Sequence, residues 1–342
     1  MAQRSVVTIE RHIVEQERQH PQATGALSNI LYNMALSAKL IAREVSKAGL
    51  VDILGLTGDT NVHGEEVKKL DEFADDVIFA AFDHTGLLCC MASEEQEDIR
   101  AIPERFPTGR YSLLYDPLDG SSNIDANVSI GTIFSVHSKV SDVERGCADD
   151  CLQKGSEQIA AGYIVYGSAV MMIYTTAGSG VHGFTLDPSI GEFLLSHPDI
   201  QIPRPGRRIY SVNEAYYNRW SDGQRRLVDH LKGLDEEGGD PFSSRYIGSM
   251  VADMHRTLLY GGLFMYPGDT RYPDGKLRLL YEACPMAMIM EQAGGKASNG
   301  RERILDVQPE SLHQRTPLFA GSAEYVDMAH QYVRDDTGAS AG

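Results

Sequence analysis

The sequence lacks any long apolar run. No segment of its 342 residues approaches the roughly 20 apolar residues that a membrane-spanning helix needs. Positive charge is also scarce, and the formal net charge is −17. This balance disfavours a nucleic-acid partner, because nucleic-acid binders neutralise phosphates with clustered Lys and Arg. The first twenty residues are polar and carry no signal-peptide stretch, so we expect a cytoplasmic protein without a membrane partner.

Regular cysteine spacing is absent as well. The five cysteines are odd in number and irregularly placed, which excludes a disulfide framework and disfavours a zinc site. Cys147 and Cys151 are four residues apart in the sequence and could in principle form a redox pair. Neither a Walker A motif nor a Gly-x-Ser-x-Gly elbow occurs, so no motif in the sequence supports a kinase or serine-hydrolase mechanism.

Apolar periodicity predicts a layered protein of mixed helices and strands. Before position 188 it favours helices over 5–19, 27–47 and 65–82, a glycine-rich loop over 55–64, and strands over 87–91, 111–115, 130–137, 161–166, 169–176 and 181–186. Prolines at 188, 198, 203 and 205 predict a domain seam, which divides the chain into 1–198 and 199–342. Beyond the seam we expect a strand over 208–212 and helices over 224–232 and 248–260, with a last helix over 279–292.

The sharpest local pattern is the segment 116–125, Asp-Pro-Leu-Asp-Gly-Ser-Ser-Asn-Ile-Asp, which follows an apolar run. Its Pro and Gly predict a turn that aims Asp116, Asp119 and the Leu118 carbonyl at one point. Hard oxygen ligands of this kind suit Mg²⁺ or Mn²⁺. An ordinary turn with capping Asp, Ser and Asn side chains is the alternative, whereas an EF-hand lacks the required ligand positions.

Small residues follow these carboxylates. Gly120, Ser121 and Ser122 offer backbone N–H groups and hydroxyls, which hold a phosphate if a helix or nest begins there.

Further acidic and basic residues qualify for the same site. Glu94 and Glu95 directly follow a predicted strand, and such residues point into the crevice at a sheet's carboxyl edge or lie on a solvated turn. Asp71 lies on a predicted helix, where the alternative to a role in this site is an ion pair on the helix surface. Glu282 stands in an apolar run, where a buried carboxylate must be paired, protonated or metal-bound. Lys276 and Arg278, close to Glu282 in sequence, and the tyrosines at 246 and 266 are phosphate-pocket donors or plain surface and core residues.

Several long motifs resemble those of class I fructose-1,6-bisphosphatases and occur in the same order as in that family. The matching segments are 61–64, 67–71, 116–125, 129–134, 160–163, 245–253 and 275–286, and the resemblance extends over roughly residues 8–335. It implies an α/β fold, a layered α/β/α/β/α sandwich of the sugar phosphatase type shared with inositol monophosphatases. It also implies a homotetramer that hydrolyses the 1-phosphate of fructose 1,6-bisphosphate, in gluconeogenesis or the Calvin cycle.

The resemblance also implies roles for individual residues, position by position. The Mg²⁺ ligands, with Mn²⁺ as the other option, would be Glu94, Asp116, the Leu118 carbonyl, Asp119 and Glu282. Asp71 and Glu95 would orient or deprotonate the attacking water. The substrate, a sugar bisphosphate, would be bound by Asp119, Gly120, Ser121, Ser122, Asn213, Tyr246, Tyr266 and Lys276. Arg245 would reach the 6-phosphate held by a neighbouring subunit.

An AMP site is implied near the N-terminal helices, at Thr24, Gly25, Ser28, Arg110 and Tyr111. Two positions depart from the vertebrate pattern: Ala26 replaces a common Glu, and Ser138 replaces an Arg that contacts phosphate. We therefore expect weaker AMP inhibition than in vertebrate-type members. The alternatives are a related phosphatase, which acts on sedoheptulose 1,7-bisphosphate or an inositol phosphate, and a catalytically silent relative.

Overall fold

The computed structural model describes residues 6–18, 25–47, 56–60, 66–235 and 239–338. Thr24 of the expected AMP site and the motif at 61–64 lie outside these residues. None of the helices within the described ranges combines the length and apolar character needed to cross a lipid bilayer.

The described residues contain seven α-helices. They are Ile9–Glu17 (α1), Ala26–Val45 (α2), Lys69–Phe82 (α3), Asp222–Leu231 (α4), Met250–Tyr260 (α5), Cys284–Gln292 (α6) and Ala323–Gly338 (α7). In α2 the predicted apolar stripe is buried, with Ile30, Met34 and Ile41 fully enclosed. A face with this spacing forms a helix because its burial stabilises the packed state.

The strands of the first half, in chain order, are Leu56–Thr60 (β1), Glu66–Lys68 (β2), Leu88–Ser93 (β3), Arg100–Ala101 (β4), Tyr111–Asp119 (β5), Ile130–Ser138 (β6), Gln158–Tyr166 (β7), Val170–Thr176 (β8), Val181–Asp187 (β9) and Glu192–His197 (β10). Those of the second half are Ile209–Ser211 (β11), Ser243–Ser244 (β12), Leu263–Tyr266 (β13), Leu277–Arg278 (β14), Lys296–Ser298 (β15), Arg315–Thr316 (β16) and Leu318–Gly321 (β17). An eight-stranded sheet has the order β10-β9-β8-β7-β6-β5-β3-β4, and a five-stranded sheet has the order β12-β11-β13-β17-β15. Two-stranded ribbons pair β1 with β2 and β14 with β16.

Helices α1 to α3 cover one face of the large sheet. Ile9, Ile30 and Leu70 from these helices share a core with Tyr115 and Phe134 from the sheet. Side chains of alternating strand positions reach opposite faces, so the other face of the same sheet remains for a second layer of helices.

Helices α5 and α6 form that second layer and lie between the two sheets. Val251 and Ile289 pack with Tyr163 of the large sheet and with Phe264 and Ala320 of the small one. The middle layer therefore joins the two halves of the chain in one core.

Helices α4 and α7 close the outer face of the small sheet. Leu227 and Val228 from α4 and Val326 from α7 pack on Tyr210 and Leu263. Helix, sheet, helix, sheet and helix thus follow one another, which confirms the predicted α/β/α/β/α sandwich.

Four local predictions were wrong. The segment 55–64, predicted as a loop, contains β1, and the helix expected from residue 65 begins only at Lys69, after β2. β1 and β2 pair with a register shift, so backbone hydrogen bonds override the turn tendency of Gly58 and Asp59. The helix at 279–292 is not the last, because α7 follows it. The strands β2, β4, β10 and β12 to β17 were not predicted, since their apolar runs are short.

The predicted helix at 279–292 also starts differently. Residues Leu279–Ala283 form a π-helical turn, in which the Cys284 N–H donates to the Leu279 carbonyl, and α6 follows with Pro285 in its first turn. Proline has no N–H to donate, so the usual bond four residues back is missing at this point. π-Turns of this kind often occur at functional sites, and this one carries Glu282.

Candidate active site

Two neighbouring strands deliver acidic residues to one edge of the large sheet. β3 and β5 run parallel, with Ser93 opposite Tyr115, so Glu94 and Asp116 both follow these positions. Parallel strands bring their carboxyl ends to the same edge. The register between β5 and β6 shifts between Asp116 and Asp119. This irregularity explains how two carboxylates three residues apart in a strand reach the same side.

Asp116, Asp119 and Glu282 form a compact cluster. Each offers a carboxylate oxygen, and these oxygens all lie within 4.8 Å of one another. All three residues are buried. Asp119 Oδ2 accepts hydrogen bonds from the Val251 N–H at 2.8 Å and the Ser249 hydroxyl at 3.3 Å.

Burial and mutual repulsion govern the charge of this cluster. Desolvation, followed by the neighbouring carboxylates, raises the pKa of Asp116 and of Glu282 well above the usual range. Desolvation likewise raises the pKa of Asp119 to about 7, although the Val251 N–H opposes the shift. A cation bound by these oxygens removes the repulsion and favours the charged forms. An all-oxygen donor set of this kind fits a hard divalent cation.

The guanidinium group of Arg278 contacts the acids. Arg278 is almost fully buried, and its Nε donates to Glu94 Oε1 at 3.2 Å. Its backbone N–H donates to Glu282 Oε2. Arg278 therefore orients two of the predicted metal ligands, a role that its sequence position beside Lys276 did not reveal.

The acidic cluster opens into a cavity of about 350 Å³. The predicted residues that line its acidic end are Glu94, Glu95, Asp116, Leu118, Asp119 and Glu282. Those that line the remainder are Gly120, Ser121, Ser122, Tyr246, Tyr266 and Lys276. The fold thus brings together twelve residues from separate parts of the chain, between positions 94 and 282.

Three predicted residues do not line this cavity. Asp71 is buried in the first turn of α3. Asn213 hydrogen-bonds the Tyr246 side chain and lies beside Tyr266 in a small adjoining pocket. Arg245 is exposed and donates to the Ser244 carbonyl.

Gly120 is required by the geometry of its turn. Its φ of 77° lies in the left-handed region, and a Cβ there would approach the Ser249 hydroxyl oxygen to 2.9 Å. This close contact fixes the turn against the segment that starts α5. Ser249, Asp253 and Arg315 also line or support the cavity, but sequence analysis assigned them no role. The motif at 245–253 was the only sequence signal for Ser249 and Asp253, and Arg315 had none.

A second cavity of about 700 Å³ lies between α1, α2 and β5. Of the expected AMP-site residues, Gly25, Ser28, Arg110 and Tyr111 line it. Ser28 Oγ donates to Glu17 Oε2 at 2.7 Å, so a carboxylate is already present at this end of α2.

The cysteines are all free thiols. Cys151 is buried, and its nearest thiol contact is with Cys90, at an Sγ–Sγ distance of 3.8 Å. Cys147 is half-buried. The redox pairing of Cys147 with Cys151 stays a prediction.

The five-layer fold and the acidic cavity at the sheet edge define this chain as an α/β enzyme of the sugar phosphatase type. Residues 7–198 match the family model for the fructose-1,6-bisphosphatase N-terminal domain, and residues 202–334 match that for its C-terminal domain. The chain belongs to the class 1 fructose-1,6-bisphosphatase family.

Individual relatives agree along their whole length. A class 1 fructose-1,6-bisphosphatase from Chloroherpeton thalassium is 58% identical, with 96% of this chain and 93% of that protein covered. One from Nitratidesulfovibrio vulgaris is 55% identical over 96% of this chain and 98% of its own length. The holo crystal structure of Leishmania major fructose-1,6-bisphosphatase superimposes with a TM-score of 0.89 at 43% identity, covering 96% of this chain and 99% of that chain.

Proposed function

We propose that this protein hydrolyses the 1-phosphate of D-fructose 1,6-bisphosphate to fructose 6-phosphate and phosphate, with Mg²⁺ as the natural cation and Mn²⁺ as a substitute. The observation that carries the proposal is the buried cluster of Asp116, Asp119 and Glu282 in a cavity that Lys276 also lines. Carboxylates at one end and a cation at the other suit a substrate with two phosphates.

The metal ligands in this proposal are Glu94, Asp116, the Leu118 carbonyl, Asp119 and Glu282. A bound divalent cation neutralises phosphoryl charge, stabilises the leaving oxygen and lowers the pKa of water. The chain itself holds the ligands in place, because Val251 fixes Asp119 and Arg278 fixes Glu94.

Other residues bind the substrate and handle the proton. Ser121 and Ser122 are proposed to donate to the reacting phosphate. Glu95 lines the cavity and is the better placed acceptor for the water proton, whereas Asp71 lies outside the lining and would act through its neighbours. In phosphoryl transfer the protein acts mainly by positioning this water, and it forms no covalent bond with the substrate in this proposal.

The sugar and its 6-phosphate are proposed to lie against Asn213, Tyr246, Tyr266 and Lys276. Tyr246, which is hydrogen-bonded to Asn213, has a phenol that is neutral near pH 7 and is proposed to donate a hydrogen bond to the substrate. Lys276 Nζ lies 4.5 Å from the centre of the Tyr272 ring, which confines the ammonium near the cavity.

The quaternary arrangement belongs to the same proposal. We infer a homotetramer in which Arg245 enters the site of a neighbouring subunit, and its exposure outside its own cavity supports this. The division at 198/199 is supported by family models that end at 198 and begin again at 202. Cytoplasmic location and a place in gluconeogenesis or the Calvin cycle stay predictions of the sequence.

The direct test is phosphate release from fructose 1,6-bisphosphate by protein stripped of metal with a chelator. We expect no release until Mg²⁺ is added, and one phosphate per bisphosphate afterwards. A parallel assay with sedoheptulose 1,7-bisphosphate measures the breadth of the substrate range. This longer sugar is also a substrate if Lys276 reaches its second phosphate. Absence of release from both substrates, in folded protein with Mg²⁺, would instead favour a silent relative.

We also expect weak inhibition by AMP. Ser138 pairs with Tyr111 across β5 and β6, so the position where vertebrate-type members carry an Arg adjoins the second cavity without a positive charge. Glu17, bonded to Ser28, adds a negative charge that repels a phosphate. Changing Ser138→Arg is expected to lower the AMP concentration for half inhibition by about tenfold, the scale of a charge-assisted phosphate contact. Strong cooperative inhibition of the unmodified enzyme in an AMP titration would contradict this argument.

A further inference from the structure

Asp253 lines the active-site cavity, yet its side chain is fully buried. Its Oδ1 accepts hydrogen bonds from the Ser211 hydroxyl at 2.8 Å and the Arg256 guanidinium at 2.7 Å. Its Oδ2 accepts from the Ile247 N–H at 3.0 Å and the Gly248 N–H at 3.1 Å. One carboxylate therefore joins strand β11, the turn before α5, and the body of α5.

These contacts exclude Asp253 from metal binding and proton transfer. A carboxylate offers about four lone-pair sites, and the four donors use them. The Ile247 N–H also approaches Oδ1, at 3.1 Å, which leaves still less room for another ligand. An acidic residue in the cavity wall is thus committed to holding protein segments.

The segments that it holds carry the proposed sugar-phosphate contacts. Tyr246 precedes Ile247 in the turn, and Asn213 follows Ser211 by two residues. Tyr246 and Asn213 are themselves hydrogen-bonded. Arg256 donates to the Arg245 carbonyl as well as to Asp253, so the same ion pair fixes the backbone of the residue proposed to reach a neighbouring subunit.

The opposite side of the same segment holds the metal half of the cavity. Ser249 and Val251, at the start of α5, donate to Asp119. Asp253 follows Val251 by two residues, in the same helical turn. The start of α5 is therefore a rigid connection between the carboxylate cluster and the turn that carries Tyr246.

We propose that Asp253 is a positioning residue that sets the distance between the metal-binding half and the sugar-phosphate half of the cavity. It thereby determines affinity for the part of the substrate remote from the reacting phosphate. This inference rests on the proposed function, since it assigns the Tyr246 side of the cavity to the sugar and its second phosphate.

The test substitutes Asp253→Asn, which keeps the size of the side chain but removes its charge and presents an amide to donors. We expect KM for fructose 1,6-bisphosphate to rise by about 10- to 100-fold, as for loss of one or two charge-assisted hydrogen bonds, while kcat changes by less than about threefold. Calorimetric titration of the Mg²⁺-loaded enzyme with fructose 6-phosphate should show a similar loss of affinity. Inhibition by inorganic phosphate should stay unchanged, because phosphate occupies the metal half.

Asp150→Asn is the matched control. Asp150 is also fully buried and also holds a loop, through hydrogen bonds from Val140, Ser141 and Cys147, but it does not line the active-site cavity. It should lower thermal stability without moving KM. Equal losses of fructose 6-phosphate and phosphate binding in Asp253→Asn, or a fall in kcat at constant KM, would overturn the proposal.

Two further measurements keep the outcome decisive. If Asp253→Asn does not fold, Ser211→Ala removes one contact and should raise KM by about threefold at constant kcat. An unchanged KM in that variant would count against the proposal. If the unmodified enzyme releases no phosphate, the proposed function has failed, and the fructose 6-phosphate titration still tests Asp253 by binding alone.

Discussion

Asp119→Asn is expected to lower kcat/KM for fructose 1,6-bisphosphate by at least about a thousandfold, because the change removes a proposed metal ligand. The asparagine oxygen still accepts from the Val251 N–H, so the turn and the start of α5 should remain folded. Phosphate release at saturating Mg²⁺ and thermal unfolding, measured on the same preparation, separate loss of activity from loss of structure.

Asp125→Asn is the control for this variant. Asp125 lies in the 3-10 helical turn Ser121–Ala126, which directly follows Gly120 after Asp119, but it is exposed and outside the cavity lining. It should keep nearly full activity. Similar losses in both variants would show that the turn matters only as a structural element, and full activity of Asp119→Asn would remove this carboxylate from the metal site.

The second large effect concerns pH. In metal-free enzyme burial raises the pKa of Asp119 to about 7, and burial also raises the pKa of Asp116 and of Glu282 well above the usual range. Between the usual and the raised pKa values of these carboxylates, the native state therefore holds protons that the unfolded chain has released. The free energy of unfolding falls as pH rises between those values. Each such group contributes a slope of up to about 1.4 kcal/mol per pH unit.

Buried histidines set the lower limit of the useful pH window. Burial lowers the pKa of His12, His137 and His255 to about 4. A histidine with a lowered pKa binds protons more readily in the unfolded chain, so its contribution to stability rises with pH until the unfolded form is deprotonated, at about pH 7.5. The carboxylate effect is thus separated from that of these histidines above about pH 7.5, where they are nearly neutral in both states.

Thermal unfolding of chelator-treated enzyme from pH 7.5 to 8.5 measures this effect. We expect the unfolding temperature to fall as pH rises, and added Mn²⁺ to restore it most strongly at pH 8.5, because metal binding displaces protons. Glu282→Gln should flatten the metal-free trend. A metal-induced shift of equal size at every pH would contradict the coupling between protons and metal.

The architecture was predictable from the sequence because the elements that build it are long and strongly patterned. The stripe through Ile30, Met34 and Ile41 and the apolar strands β5 to β9 carry the large sheet and its first helical layer. Short elements were not predictable. β1 depends on pairing with β2, and a strand of four residues such as β13 is stabilised by its neighbours in the small sheet.

The sequence indicated most of the residues that the cavity brings together, but not the contacts that support them. Carboxylates after strands and a lone Glu in an apolar run already pointed to a metal. Sequence could not show that Arg278 pairs with Glu94, 184 residues away in the chain. Likewise, Asp253 is an acidic residue like the proposed metal ligands, and only its hydrogen bonds point to the positioning role that we propose.

We propose that Asp116, Asp119 and Glu282 hold the catalytic cation. The most direct measurement is anomalous diffraction from crystals soaked in Mn²⁺ and inorganic phosphate. We predict an anomalous peak within bonding distance of these carboxylates, with phosphate beside it near Ser121 and Ser122. Mn²⁺ bound elsewhere in crystals of active enzyme, with this cluster free of metal, would contradict the account.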